Sequence, residues 1–224
     1  MNQASDLFWY SKPGSGYKKL EDCTDAKIGY SSPGSSSHMV TLRAIEHANL
    51  ENAKAVSVGG PPGANAALKT GEIDLAWSVP PFFLQSINSG NMQMVFRGNQ
   101  VPPFDSLSIR VNFVSKNVLE KESKKVASYF IAHKKAIDWA YNNLDEAVKI
   151  WGKVIDNKNN ELLKQAVKNS YPKKALDLNA IKGISDANDI AVKFNFIGNK
   201  LSQQEISVLF DTSPLPTTDS DTYS

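Results

Sequence analysis

Lys27-Ile28-Gly29-Tyr30-Ser31-Ser32-Pro33-Gly34-Ser35-Ser36-Ser37-His38 is the stretch that decides the fold. Its first four residues read as a short strand. The Ser/Gly-rich run is a turn, and an apolar face at Met39, Val40, Leu42 and Ile45 predicts a helix over residues 36–49. The same rhythm follows. Residues 54–58 read as a strand, Gly59-Gly60-Pro61-Pro62-Gly63 as a turn, residues 64–69 as a helix ending at Gly71, and residues 73–77 as a third strand. A helix over residues 80–90, opened by Pro80-Pro81, leads to a fourth strand over residues 92–96. Strands alternating with helices imply βαβ units and a mostly parallel sheet.

Outside this unit the pattern changes. Leu7-Phe8-Trp9-Tyr10 is an apolar-aromatic run ahead of a loop, and residues 1–21 read as a linker or as the start of an incomplete lobe. Residues 22–97 form the α/β lobe and residues 98–106, with Pro102-Pro103, a hinge. Leu107, Ile109, Val111 and Phe113 alternate in the pattern of a half-buried strand. Helices are then expected over residues 124–142, 145–155, 161–170, 179–194 and 202–210, the last opened by a capping box at Ser202-Gln203-Gln204-Glu205. Residues 107–211 are thus one strand and a helical bundle, and residues 212–224 a Pro/Ser/Thr/Asp tail expected to be disordered. A lone strand needs a sheet to join.

Composition narrows the function. The 224 residues carry a net charge of +2, and their lysine pairs are scattered, so no basic patch points to nucleic acid. Cys23 is the only cysteine, which excludes an internal disulfide. No segment approaches the roughly 20 apolar residues that span a bilayer. The first residues lack the basic start and apolar run of a signal peptide. His38, His47 and His133 have no metal-ligand spacing, and no cofactor fingerprint is present.

The chemistry lies in the first turn. The opening N–H groups of a helix lack internal partners and carry partial positive charge. Small hydroxyl residues add donors, and Gly34 lets the backbone curl close to a ligand. Ser31, Ser32, Gly34, Ser35 and Ser36 are the candidate contacts, for a carboxylate, sulfonate, phosphate or other electronegative group. A lesser role, in which one serine simply caps the helix, needs fewer serines than stand here. In a parallel sheet the turns after all three strands share one edge, so Gly59, Trp77 and Ser78 join the list, Trp77 as a wall for a planar ligand. Donors and an aromatic wall without a nucleophile point to binding without turnover.

These turns resemble a known family. Lys27 to Ser37, then Val58-Gly59-Gly60-Pro61-Pro62-Gly63, Ala66-Ala67-Leu68 and Gly71-Glu72-Ile73-Asp74, resemble the thiamine-precursor-synthesis-like solute-binding proteins of ABC importers, alongside sulfonate, nitrate and taurine binders. Asp138-Trp139-Ala140, Glu146 and Trp151 are similar to its helical part, so the resemblance spans about residues 20–210. It implies a periplasmic binding protein type II-like α/β fold: one complete parallel-sheet lobe, and the helical C-terminal part of a second, incomplete lobe whose opening βαβ portion is missing. It further implies cleft closure around a sulfonate, nitrate or pyrimidine, importer membrane subunits as partners, a monomer, and a periplasmic location (cytoplasmic if the chain is complete as given). Two other readings stay open. Related proteins make a thiamine pyrimidine with a histidine and a cysteine-rich segment, whereas here Cys23 stands alone and no such segment exists. A truncated remnant that binds nothing is the third.

Overall fold

Phe8–Ser11 (β1), four residues buried without exception, form the middle strand of a sheet. The computed structural model describes residues 1, 3–178 and 181–215. After β1 come β2 (Lys27–Tyr30), α1 (Ser36–His47), β3 (Lys54–Ser57), α2 (Pro61–Thr70), β4 (Ala76–Ser78), α3 (Leu84–Asn88) and β5 (Gln93–Arg97). Then follow α4 (Lys116–Lys121), α5 (Ser123–Asn142), α6 (Leu144–Val154), α7 (Asn160–Ser170), α8 (Ile184–Lys193) and α9 (Gln203–Ser207).

β2 and β3 pair in parallel, Tyr30 opposite Ser57. A parallel bridge from Ile28 to Leu75 brings the approach to β4 alongside β2. β1 runs antiparallel to both β4 and β5. The four strands expected from sequence therefore run one way, and β1 alone runs against them. Read across, the order is β3, β2, β4, β1, β5. Residues 1–21, read as a linker or the start of another lobe, thus contain this sheet's reversed strand. Trp9 explains why it is held there. Its ring stacks on Phe96 at 4.7 Å and 4°, and its Nε1–H donates to the Gly29 carbonyl at 2.9 Å.

Several boundaries move for local reasons. α2 begins at Pro61 rather than residue 64, since a first-turn proline lacks an N–H that would be unpaired anyway. Gly71, at φ 82°, ends it as expected. The helix expected from Pro80 starts only at Leu84. A residue before proline is pushed out of the helical region, and Phe83 sits at φ 61°. α8 starts at Ile184 after Gly183 at φ 68°; the expected start near residue 179 lies outside the described residues, as do residues 216–224 of the expected tail. The Ser202 capping box forms, with Ser202 N–H donating to Glu205 Oε2 at 2.8 Å, but its helix is short.

The strand expected over residues 107–115 is the main correction. Residues 107–115 form no strand. Leu107 and Ile109 pack on the core, Ile109 N–H donating to the Met1 carbonyl at 3.1 Å. Beyond them the chain is exposed, Val111 at 53% and Phe113 at 97%. Alternation of apolar residues makes a strand only where a neighbouring strand supplies hydrogen bonds. Among the described residues none does.

α1 packs on β2 and β3, α2 on β4, and α3 on α7, where Asn88 Nδ2 donates to Gln165 Oε1 at 2.8 Å. Leu162, Ala166 and Ile190 enter the same core as Trp9. The approach to β1 and the exit from β5 run side by side, Gly98 N–H donating to the Leu7 carbonyl at 2.8 Å. A Cβ at residue 98 would stand 2.7 Å from the Ala4 carbonyl oxygen, so only glycine fits. Asp6, buried here, takes Nη2 of Arg110 at 2.6 Å and Nε at 3.1 Å.

Trp9→Phe tests the keystone. Phenylalanine keeps the stacking ring but leaves the Gly29 carbonyl without its indole donor, at a cost of about 1–3 kcal/mol. The urea midpoint should fall with an unchanged slope; an unshifted midpoint would remove this bond from the account.

Candidate functional site

The site is built where parallel strands end. Ser31 follows β2, Gly59 follows β3 and Ser78 closes β4, so all three lie at one sheet edge. Gly59 N–H donates to the Ser31 carbonyl at 3.0 Å, stitching the first two turns together. Gly59, at φ 73°, also accepts the Trp77 indole N–H at 2.9 Å.

Within the serine turn the hydroxyls divide into two groups. Ser37 Oγ accepts the Ser31 N–H at 3.0 Å and pairs with Ser31 Oγ at 2.9 Å and Ser35 Oγ at 3.1 Å. Ser35 is the N-cap, its Oγ accepting His38 N–H at 3.2 Å. Ser31, Ser35 and buried Ser37 therefore hold the turn's shape. The hydroxyls of Ser32 and Ser36 have no acceptor or donor among the described residues, and the Ser36 and Ser37 N–H groups are the unpaired first donors of α1. Four donors are thus left without a partner among the described residues at the positive end of α1, which suits an anion.

Gly34, at φ 77°, makes the corner. Its N–H donates to His38 Nδ1 at 3.2 Å. The His38 ring stacks on Tyr30 at 4.0 Å and meets the edge of Phe196 at 5.2 Å. Burial lowers the His38 pKa from its ordinary 6.5, and Nδ1 can accept the Gly34 N–H only while unprotonated.

The expected residues are not equivalent. Ser31, Ser32, Gly34, Ser35 and Ser36 meet in one turn, with Gly59 against it. Trp77 is 9% exposed with its N–H committed to Gly59, so it braces the turn and offers little ring face. Ser78 is fully buried and leans on the Val79 carbonyl at 3.5 Å, which leaves its hydroxyl no open approach to a ligand. Ser37 and His38 were missing from the sequence list. The signal for Ser37 was its place two residues past the N-cap; that for His38 was the Gly34-to-His38 spacing across the first turn.

Other chemistry is sparse. The Cys23 thiol is buried, and burial first, then nearby carboxylates, push its pKa up to about 12, so little thiolate forms at neutral pH. Among the described residues no three His, Cys, Asp or Glu side chains gather to hold a metal ion, and no helix is long and apolar enough to cross a membrane. A cavity of about 230 Å³ lies away from the serine turn, lined by Phe113, Val126, Phe130 and Leu209 among others. Its lining mixes these apolar side chains with Arg110, Asn112 and Asp177, and it opens beside the exposed residues 111–114.

The fold is that of periplasmic binding proteins of type II: an α/β sheet lobe with helices, and a further helical region. The aliphatic sulphonate binding protein SsuA of Escherichia coli superposes with TM-score 0.71 at 14% identity, over 99% of this chain and 70% of its own. The alkanesulfonate-binding SsuA of Xanthomonas axonopodis pv. citri, bound to MOPS, gives TM-score 0.72 at 14% identity, over 88% and 68%. A ligand-binding component of an ABC-type import system from Staphylococcus aureus, with zinc bound, gives 0.68 at 15%, over 91% and 68%. At such identities the likeness is one of fold. No curated protein matches the chain. The family model described as NMT1/THI5 like matches residues 1–147, and the chain belongs to that family.

His38 gives the site a pH signature. The folded state favours neutral imidazole, so His38's contribution is fully present above about pH 6.5 and is lost as pH falls below it. Asparagine at this position keeps an acceptor but does not titrate. Between pH 7.5 and 5 the wild type should therefore lose more melting temperature than His38→Asn; parallel curves would show that His38 carries no such linkage.

Proposed function

We propose that the chain binds a small anionic solute at the serine turn, as the binding component of an ABC-type importer. The observation that carries this reading is the set of four unpaired donors, from Ser32, Ser36 and the N–H groups of Ser36 and Ser37, at the N-terminus of α1. Membership of the NMT1/THI5 like family and the solute-binding fold agree with it. The chemistry of the cradle favours a sulfonate, nitrate or the electronegative edge of a pyrimidine, whose oxygens or ring nitrogens accept several N–H and O–H bonds at once. Ser31, Ser35 and Ser37 shape the turn, Gly34 forms its corner and Gly59 closes its side. Trp77 and Ser78 act from behind, by bracing the neighbouring strand ends.

Binding is without turnover in this reading. The one thiol is protonated and buried, and the turn holds no base poised on a nucleophile. The partners that follow are importer membrane subunits, and the location a periplasmic or equivalent extracytoplasmic space.

Calorimetry with ethanesulfonate, taurine, nitrate and an aminopyrimidine tests the assignment. At least one should bind with a stoichiometry of one. Gly34→Val forces a β-branched residue into the left-handed region, at about 1–2 kcal/mol, and should weaken binding about tenfold. Unchanged affinity in this variant removes the turn from the site; silence from every solute removes the function.

A further inference from the structure

The helix that carries the ligand turn is gripped from outside by a segment distant in sequence. Lys193, the last residue of α8, forms an ion pair with Glu46 in the last turn of α1. Three residues on, Phe196 lays its edge against His38 in the first turn of α1. Eight residues of helix rise about 12 Å, so these contacts hold both ends of α1. The segment making them is itself fixed. Asn195 N–H donates to the Val192 carbonyl at 3.0 Å and Phe196 N–H to Ala191 at 2.7 Å, with Asn195 at φ 59°.

A third grip acts through the same carboxylate. Arg43 Nη1 donates to Glu46 at 2.7 Å, while its Nε donates to the Pro102 carbonyl at 2.9 Å. Glu46 thus joins α1 to the end of α8 directly and to residues 98–106 through Arg43. The path to the ligand turn is short. Phe196 bears on His38, His38 Nδ1 takes the Gly34 N–H, and Gly34 is the corner of the turn.

We propose that residues 193–196 are a splint for the ligand helix, and that Lys193 and Phe196 are positioning residues which set where the unpaired N–H groups of Ser36 and Ser37 point. Neither belongs to the turn itself. The inference rests on the serine turn being the ligand site. Its physical basis is that several donors serve one anion well only while their directions converge, and α1 fixes those directions. Lys193 is more than half exposed, so its loss should leave the fold intact.

The test uses Lys193→Met, Lys193→Arg and Phe196→Ala, titrated with MOPS and followed by calorimetry and by the proton resonances of His38 and the Gly34 amide. Lys193→Met and Phe196→Ala should each weaken MOPS binding about fivefold or more at unchanged stoichiometry, and Lys193→Arg should restore it. The His38 and Gly34 signals should move in Phe196→Ala before any ligand is added. Affinities within about twofold of wild type in both variants, or an arginine as weak as the methionine, overturn the splint. If the wild type itself ignores MOPS, the resonances decide. Unmoved His38 and Gly34 signals in Phe196→Ala overturn the splint on their own, whereas shifted signals leave it standing and place the fault in the choice of ligand class.

Discussion

One reversed strand ties the sheet together. β1 hydrogen-bonds to β4 on one side and β5 on the other, so without it β5 has no neighbour and β4 keeps only the Leu75 bridge to β2. Four residues carry this load, and they manage it because all four are buried. Trp9 adds a lateral bond to β2 through the Gly29 carbonyl, across the width of β4. Strand ends at Ser31 and Gly59 share an edge through the β2–β3 ladder, and Ser78 joins them through the Leu75 bridge to β2, with β4 held on its other side by β1.

The serine turn shows how a site can be both rigid and available. Hydroxyls used for structure are lost to a ligand, and the division here is clean. Ser31, Ser35 and Ser37 satisfy one another and the helix cap, while Ser32 and Ser36 stay open. Preorganised donors lose less entropy on binding than mobile ones. His38 completes the arrangement from the rear, by holding the Gly34 amide and standing between the Tyr30 and Phe196 rings.

Much of this was legible in the residues. The four same-direction strands, α1, and the helices α5 to α7 follow from period and punctuation, and the turn from its composition. β1 was not legible because a strand buried on both faces shows no alternation, and Leu7-Phe8-Trp9-Tyr10 is too short to separate from any apolar run. Residues 107–115 misled for the opposite reason. Their alternation is real, but pairing is a property of the neighbour and not of the pattern. Ser78 and Trp77 were placed at the correct edge, while their burial depended on β1, which the sequence did not reveal. Ser37 was passed over because residue type alone cannot say which of five serines faces inward.

The bare stretch at residues 111–114 has a consequence for the protein in solution. Its backbone has no hydrogen-bond partner among the described residues beside Phe113, which stands almost wholly in water. Such an edge is a template for any extended chain that drifts past, including a partly opened copy of the same protein. Colloidal behaviour is then governed by crowding and by the net charge of +2, since the cations flanking the strip, Arg110 and Lys116, are partly neutralised by Asp6 and Glu120. Salt screens the weak repulsion between copies that this net charge supplies, so turbidity in concentrated samples should rise with ionic strength even where the fold itself is unaffected.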